Sequence, residues 1–476
     1  MPRTPKRKSL SCTSTRARQT KAKRRLESEP QPLTPTLPIA YHYSEDGDFQ
    51  SRLHVGSMDI LCQFCAAQRF SHERPGMCCL NGKVKLEAFP EWPPYLRSLL
   101  QDKHFLQNIR RYNNLFQMTS FACQQRQLPG WNPTFTVHGQ VFHRIGSLYP
   151  ATDSSAKFLQ IYFIDNADNE MSTRMSIHSQ LRQNIVCSLS EMLHTNNKYV
   201  RMLKSTHEAI QTHHNGDEQL RVVIHEDKRP QNENIRRYNA PTSNEIGILM
   251  PNDPTCNRDI VIHQRDGLLK RISEIHRSYD PLQYPLLFPY GTDGYNIYLT
   301  SNINKKVTQL QHYAYHIQSR AGNDLARAGR LFQQFLVDVY CKVETERLNF
   351  LRREQKSLRA DSYANLRDSI VDRDSDPRNV GQRVILPSSY LGGPRYMHKR
   401  QQDAITYVTH YGRPQLFITS TTNPKWDEIV TNLIPGQSAQ DNPVLVTRVF
   451  NLKKRSPDIA VERWRFRYSG GMVVFN

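Results

Sequence analysis

Apolar side chains recur at helical spacing over residues 324–367, the longest periodic stretch of the chain. Its apolar positions are Leu331, Phe332, Phe335, Leu336, Val339 and Val343, and no glycine or proline interrupts residues 331–366. This pattern predicts a long helix with one buried face. The other face carries charges, at Lys342, Arg347, Arg352, Arg353 and Lys356. We expect that face to be solvated, with DNA contact as the alternative.

Shorter patterns predict the remaining elements. Helices are expected within residues 177–211, at 394–411, where Gly412 would end the helix, and at 426–434. Strands are expected at 135–142, 158–164, 220–224, 245–250 and 259–263, with a buried strand at 416–419. This mixture predicts an α+β fold.

Composition divides the chain further. Only 38% of the 476 residues are hydrophobic, which indicates that part of the chain is tail or linker. The predicted parts are a disordered basic, Pro-rich tail (1–45), a small zinc-binding module (46–100), an α+β region (101–255), a larger domain (256–454) and a divergent C-terminal segment (455–476).

The charge of the chain favours a polyanionic partner, most simply nucleic acid. The formal net charge is +20, and ten Lys and Arg residues precede the first acidic residue, Glu27. The tail residues expected to contact phosphates include Arg7, Lys8, Lys23, Arg24 and Arg25. The same basic runs indicate targeting to the nucleus. A tail that only keeps the chain soluble is the alternative. For base stacking we expect Tyr112, Trp131 and Tyr162.

A cysteine cluster predicts a metal site. Cys62 and Cys65 are separated by two residues, and Cys78 and Cys79 follow thirteen residues after Cys65. This spacing is typical of structural zinc. Adjacent cysteines point in different directions, so three sulfurs with His54 or His72 are an alternative to four sulfurs. Buried free thiols are a further alternative.

Several motifs are missing from the sequence. It contains no G-x-x-x-x-G-K-[ST], so no ATP site of the P-loop type is expected, and no His-x-His pair. No apolar run approaches the ~20 residues of a membrane span. Tyr407 and Tyr411 are spaced like a paired nucleophile, but we expect them to pack against the following strand.

Five stretches in chain order resemble the N-terminal region of Helitron-type rolling-circle transposases, including the Helitron helicase-like domain. They are the cysteine cluster with Gly82, Lys83 and Val84; residues 108–113 with 139–148 and Tyr162; residues 279–295; residues 386–404; and residues 412–426. Together they span residues 52 to about 452.

The resemblance implies the role of the last stretch. In the family, the segment matching Phe417, Ile418 and Thr419 is a central strand of a small antiparallel sheet in a replication-initiator nuclease. A histidine pair that holds a divalent metal follows it, then tyrosines that attack DNA, and finally a helicase. This sequence departs from the pattern after Lys454, so we expect an incomplete sheet and a truncated family member.

Three interpretations of function follow. The first is a transposase fragment that binds DNA, as a single strand, or RNA, without nuclease or helicase activity of its own. The second is a zinc-containing nucleic-acid-binding protein derived from such an element. The third is a nuclease with relocated catalytic residues, against which the missing histidine pair argues. The sequence does not determine an oligomeric state.

Overall fold

The structure is a computed structural model. It describes residues 54–125, 137–150, 154–212, 221–224, 246–249, 260–263, 270–355, 386–413, 416–418, 421–455 and 473–475. The predicted disordered tail therefore lies outside the described residues, as do Lys356, Trp131 and Thr419.

Helices dominate the described part of the chain. They are α1 (Pro94–Leu99), α2 (Lys103–Phe116), α3 (Ala167–Ile177), α4 (Gln183–Asn196), α5 (Lys198–Thr212), α6 (Tyr279–Gln283), α7 (Gln309–His316), α8 (Arg330–Arg353), α9 (Pro394–Tyr411), α10 (Asp427–Val430) and α11 (Pro443–Arg455). Short 3₁₀ helices lie at Phe158–Phe163, Leu325–Ala328 and Ala439–Asp441.

The strands form four small sheets. They are β1 (Ile60–Leu61), β2 (Gln68–Arg69), β3 (Ser120–Gln125), β4 (Val137–Ile145), β5 (Arg221–Ile224), β6 (Ile246–Leu249), β7 (Ile260–His263), β8 (Lys270–Arg271), β9 (Leu416–Ile418) and β10 (Val473–Phe475). Strands β1 and β2 form an antiparallel hairpin, β3-β4-β8 and β6-β5-β7 are antiparallel sheets, and β9 pairs with β10. The α+β class is confirmed.

The pairing of β9 corrects one expectation. Strand β9 runs parallel to β10, with Leu416 opposite Val473 and Ile418 opposite Phe475. The antiparallel sheet predicted around this strand is therefore not what the described residues form. Helices α10 and α11 lie between the two strands in the chain, and a helical crossover of this kind returns the second strand in the same direction.

Residues 158–164 were expected to form a strand and instead form a 3₁₀ helix. The residues of this run are nearly all apolar, and Leu159, Ile161 and Tyr162 are all buried in the structure. The Tyr162 hydroxyl donates to the backbone oxygen of Phe116, at 2.7 Å. A short apolar run gives no periodicity with which to separate a strand from a buried helix.

One large hydrophobic core joins most of these elements. It takes side chains from α1, α2, α4, α5, α6, α7 and α8 and from the strands β5 and β7. Helix α2 shows why the sequence folds this way. Asp102 caps its N-terminus by accepting from the backbone N–H of His104, at 2.7 Å, and Phe105, Ile109 and Tyr112 line its buried face.

The long helix predicted near residue 330 is confirmed as α8, but its charged face is only partly solvated. Lys342 is 3% exposed. Its ammonium group bonds to Asp280 and, at 2.6 Å, to the hydroxyl of Tyr313, which in turn donates to Asp280 at 2.7 Å. The expectation that Lys342 faces solvent is wrong, because an acidic partner 62 residues earlier in the chain draws it inward.

A second buried carboxylate, that of Asp338, lies one turn earlier on α8. Asp338 accepts from the hydroxyl of Tyr284 at 3.0 Å and lies 2.8 Å from His143. Burial opposes ionisation of Asp338, but His143, Lys342 and Tyr284 outweigh it and hold the pKa of this carboxyl below its ordinary value. Two of the stretches that resemble Helitron proteins, around His143 and Tyr284, therefore meet in the core at α8.

Candidate metal centre

The first two cysteines lie in the turn of the β1–β2 hairpin. The backbone N–H of Cys62 donates to Ala67 at 2.9 Å, and the N–H of Ala66 donates back to Cys62 at 2.8 Å. Ala66 adopts a positive φ of 53°, which closes the turn. The short loop aims the thiols of Cys62 and Cys65 toward the same point.

The second two cysteines lie in a turn with left-handed backbone. Leu80, Asn81 and Gly82 have φ values of 51°, 56° and 80°. The N–H of Gly82 donates to the sulfur of Cys79 at 3.2 Å. A Cβ at Gly82 would come within 2.7 Å of the Phe64 ring, so both the backbone and the space require glycine there.

The four sulfur atoms converge. Cys62, Cys65, Cys78 and Cys79 place their sulfurs within 4.8 Å of one another. The Cys62–Cys79 separation is 3.7 Å and the Cys78–Cys79 separation 3.9 Å. Four sulfurs bound tetrahedrally at about 2.3 Å from one ion would lie about 3.8 Å apart. The arrangement therefore fits a single tetrahedral metal ion.

The structure places the two candidate histidines outside this group. The Nδ1 atom of His54 accepts from the N–H of Gly56 at 3.0 Å, and His72 is exposed. The neighbouring cysteines, by contrast, both face the centre. Their sulfurs lie 3.9 Å apart, so the divergence expected of adjacent side chains does not separate them here.

The thiols differ in their readiness to ionise. Burial raises the pKa of Cys62, but the backbone N–H groups of Phe64 and Cys65 and the neighbouring thiols lower it, to about 7 overall. Burial and the neighbouring sulfurs raise the pKa of Cys78 and Cys79. One thiolate is therefore stable here, while several together need a bound cation to balance their charge.

A cation from a distant part of the chain touches the centre. Arg320 donates to the sulfur of Cys65 at 3.3 Å and to its backbone oxygen at 2.9 Å. Its guanidinium lies 3.9 Å over the ring of Tyr315 and also bonds to the backbone oxygen of that residue. Arg320 thus orients the side chain of Cys65 and places a positive charge beside the four sulfurs. Nothing in the cysteine spacing pointed to it, since it is 255 residues away in sequence.

The strand beside the cysteines is held to the same region. The N–H of Gln68 donates to the backbone oxygen of Ser319 at 2.9 Å, and the Ser319 hydroxyl donates to the Gln68 side chain at 2.8 Å. The cysteine hairpin and the segment after α7 are therefore joined at two consecutive positions, Ser319 and Arg320.

Helix α11 packs against the cysteine module, the segment of residues 54–84 that contains the four cysteines. Arg448 forms a buried ion pair with Glu73, with contacts of 2.6 and 2.7 Å, and also donates to the backbone oxygen of Gln68 at 2.9 Å. Around this pair lies a separate small core of Val55, Phe70, Ile429, Leu445, Val449 and Leu452. Sequence reasoning missed Glu73 and Arg448, which are 375 residues apart.

A second buried carboxylate completes this contact. Glu428, at the start of α10, accepts from the N–H of Val55 and from the ammonium of Lys453, each at 2.8 Å. Burial raises the pKa of Glu428, but these two donors lower it overall. Residues near both ends of the described chain are thus fixed to one another by paired, buried charges.

Of the residues expected to contact nucleic acid, the structure describes only Tyr112 and Tyr162. Arg7, Lys8, Lys23, Arg24 and Arg25 lie outside the described residues, and so does Trp131. Tyr112 and Tyr162 are fully buried, so the expectation that they stack on bases is wrong. Both rings are part of the core, where their hydroxyls are hydrogen-bonded: Tyr112 accepts from the N–H of Arg182 at 3.2 Å, and Tyr162 donates to the backbone oxygen of Phe116.

The paired tyrosines also differ from expectation. Tyr407 and Tyr411 are 57% and 55% exposed, so the prediction that they pack against the following strand is wrong. Phe417 and Ile418, from the stretch resembling the nuclease strand, do lie in β9. Within the described ranges, no helix is long and apolar enough to cross a membrane.

Comparison with known proteins identifies one part of the chain. Residues 312–457 match a family model described as the Helitron helicase-like domain at the N-terminus. The matched part begins in α7 and includes α8, α9, β9, α10 and α11. A search of curated proteins gives no match. The Helitron-type resemblance is confirmed, and both Arg320 and Arg448 lie inside the matched part while the cysteines lie outside it.

Replacing Arg320 should weaken metal binding. In Arg320→Gln, Cys65 loses a charged hydrogen-bond donor, and loss of such an outer contact lowers metal affinity by about 10- to 100-fold. Competition with a chromophoric chelator on the full chain measures this. Arg352→Gln, an exposed arginine on α8, is the matched control and should leave the affinity unchanged. Equal affinities in both variants would show that Arg320 does not support the centre.

Proposed function

We propose that the chain is a nucleic-acid-binding part of a Helitron-type transposase, with a structural zinc ion in its cysteine cluster. The observation that carries this proposal is the match of residues 312–457 to the Helitron helicase-like domain. Proteins of that type handle DNA strands. The high positive charge of the chain is consistent with the same partner.

Zinc is the metal that best suits the donor set. Four thiolates in a tetrahedral arrangement are typical of structural zinc, which has no preferred geometry of its own. The four sulfurs would fill its coordination shell, so no position would remain for a substrate or an activated water. The role of this metal is therefore to hold the cysteine module in shape and to present it to residues 315–320 and to α11.

The nucleic acid is a single strand, with DNA favoured over RNA. Ten of the 64 Lys and Arg residues precede Glu27. A basic tail of this kind contacts phosphates, and such contacts have no sequence preference. The runs Lys6–Lys8 and Lys21–Arg25 also direct the protein to the nucleus, where such a partner is found.

The proposed function does not include cleavage or unwinding of DNA by this chain alone. The family's route to cleavage needs a metal held beside the phosphate and a tyrosine aligned for attack. The sequence contains neither a His-x-His pair nor a P-loop. In the described residues, Cys62, Cys65, Cys78 and Cys79 are the only cluster of three or more metal-binding side chains, and they lie in the hairpin module rather than beside β9.

The chain should bind a labelled single-stranded oligonucleotide with strong dependence on salt. Each phosphate contact on a single strand contributes about 0.7 to the slope of log affinity against log salt concentration. Removal of residues 1–25 should therefore flatten the slope, as measured by fluorescence anisotropy between low and moderate salt. An unchanged slope would rule out phosphate contacts by the tail, and an absence of any binding by the full chain would refute the proposed partner.

The full chain should form no covalent adduct with DNA. A labelled single strand is incubated with the protein and magnesium or manganese, and the products are separated under denaturing conditions. We expect no protein-linked label, because loss of the metal alone removes several kcal/mol of transition-state stabilisation, roughly a thousandfold or more in rate. An adduct that disappears in Tyr407→Phe or Tyr411→Phe would favour the relocated nuclease site instead.

A further inference from the structure

Helix α9 stands out on the surface of the matched domain. It has 18 residues, and none of them is buried. The helix is nonetheless well defined by its ends, since Pro394 occupies its first position and Gly412, with φ of 89°, closes it. A helix of this length that buries no side chain in the part of the chain that the structure describes leaves both of its long faces available to a partner.

One face of α9 carries a stripe of aromatic rings. The stripe begins at Tyr396 and continues 4, 11 and 15 positions later with Arg400, Tyr407 and Tyr411. In a helix with 3.6 residues per turn, this spacing places all four side chains on one side. The rings of Tyr407 and Tyr411 are stacked with centroids 5.7 Å apart and an interplanar angle of 27°. The guanidinium of Arg400 lies 5.2 Å over the Tyr396 ring.

Positive charge borders the aromatic stripe. Arg395 and Lys399 lie along one flank, Arg400 lies within the stripe, and Arg413 follows the helix. Asp403, the only acidic residue of α9, lies between that flank and the stripe, so the net charge of this side of the helix stays positive. Exposed rings in a row beside cationic side chains are the elements of single-strand recognition. Bases stack on the rings without sequence preference, while the cations contact the phosphates.

Charge and ring exposure together favour this partner over another protein surface. The apolar residues Met397 and Ile405 are exposed as well, at 58% and 49%. At 3.6 residues per turn, Met397 borders the edge of the stripe that is away from Arg395 and Lys399, and Ile405 lies on the opposite side of the helix from the stripe. A protein partner would be expected to use them, whereas a nucleic-acid strand would use the tyrosines and the basic flank.

We infer that the Tyr396–Arg400–Tyr407–Tyr411 face of α9 binds single-stranded nucleic acid by base stacking. This inference rests on the proposed function and locates its binding surface within the Helitron helicase-like domain. It also gives the two exposed tyrosines a role that involves their rings and not their hydroxyl groups. Arg395, Lys399 and Arg400 supply the accompanying phosphate contacts.

The test uses the full chain and a labelled 20-nucleotide oligothymidine. Since a stacked base contributes roughly a tenfold change in affinity, the double variant Tyr407→Ala/Tyr411→Ala should bind at least about tenfold more weakly at unchanged salt slope. The Phe double variant at the same positions should retain the affinity, because it keeps both rings. Tyr298→Ala, which removes a ring that is 55% exposed elsewhere on the surface, is the matched control and should bind like the parent chain.

The charges are tested separately. The triple variant Arg395→Gln/Lys399→Gln/Arg400→Gln should reduce the salt slope by about 2, from three lost phosphate contacts at about 0.7 each. Normal binding by both the Ala double variant and the charge variant would refute the α9 surface while leaving the proposed function intact. No binding by the parent chain would refute the proposed function itself. A parent chain that sediments as a dimer, and an Ala double variant that sediments as a monomer, would identify a second copy as the occupant of α9 and overturn the inference.

Discussion

The contact between the cysteine module and the helicase-like domain is the constraint on which this end of the molecule depends. Four sulfurs lie within 4.8 Å of one another, and Arg320, which is 255 residues after Cys65 in the chain, donates to the sulfur of that residue. The Arg448–Glu73 pair anchors the same module to α11. Removing one member of a buried ion pair costs about 3–5 kcal/mol, because the other charge is left without a partner. The cysteine module therefore packs against the helicase-like domain through specific buried contacts and is not an independent zinc finger.

The main core uses the same device. The Lys342–Asp280 and His143–Asp338 pairs lie on adjacent turns of α8 and are almost fully buried. Each pair joins α8 to a segment that is distant in sequence, and tyrosine hydroxyls complete the hydrogen bonding. Desolvation offsets much of the attraction within such buried pairs, so their net contribution to the free energy of unfolding is small, whereas loss of one partner alone is costly.

Local features of the sequence could be predicted and long-range ones could not. The periodicity of α8 and the pairing of Cys62 with Cys65 depend on neighbours in the chain, so both were visible. The convergence of Cys78 and Cys79 on one point was not visible in the local pattern, and the burial of Lys342 depends on a carboxylate 62 residues away. The exposure of the tyrosines was predicted wrongly: Tyr112 and Tyr162 are buried, while Tyr407 and Tyr411 are exposed. The sequence shows where the rings are in the chain but not which of them pack in the core.

We propose that a metal ion bound by the four cysteines keeps α11 and residues 315–320 in place. Hydrogen exchange of the full chain, with and without a strong zinc chelator under reducing conditions, tests it most directly. We predict that chelation speeds amide exchange in α11, although this helix contains no metal ligand, and leaves α4 in the main core unchanged. Zinc released with no change of exchange in α11 would contradict the account.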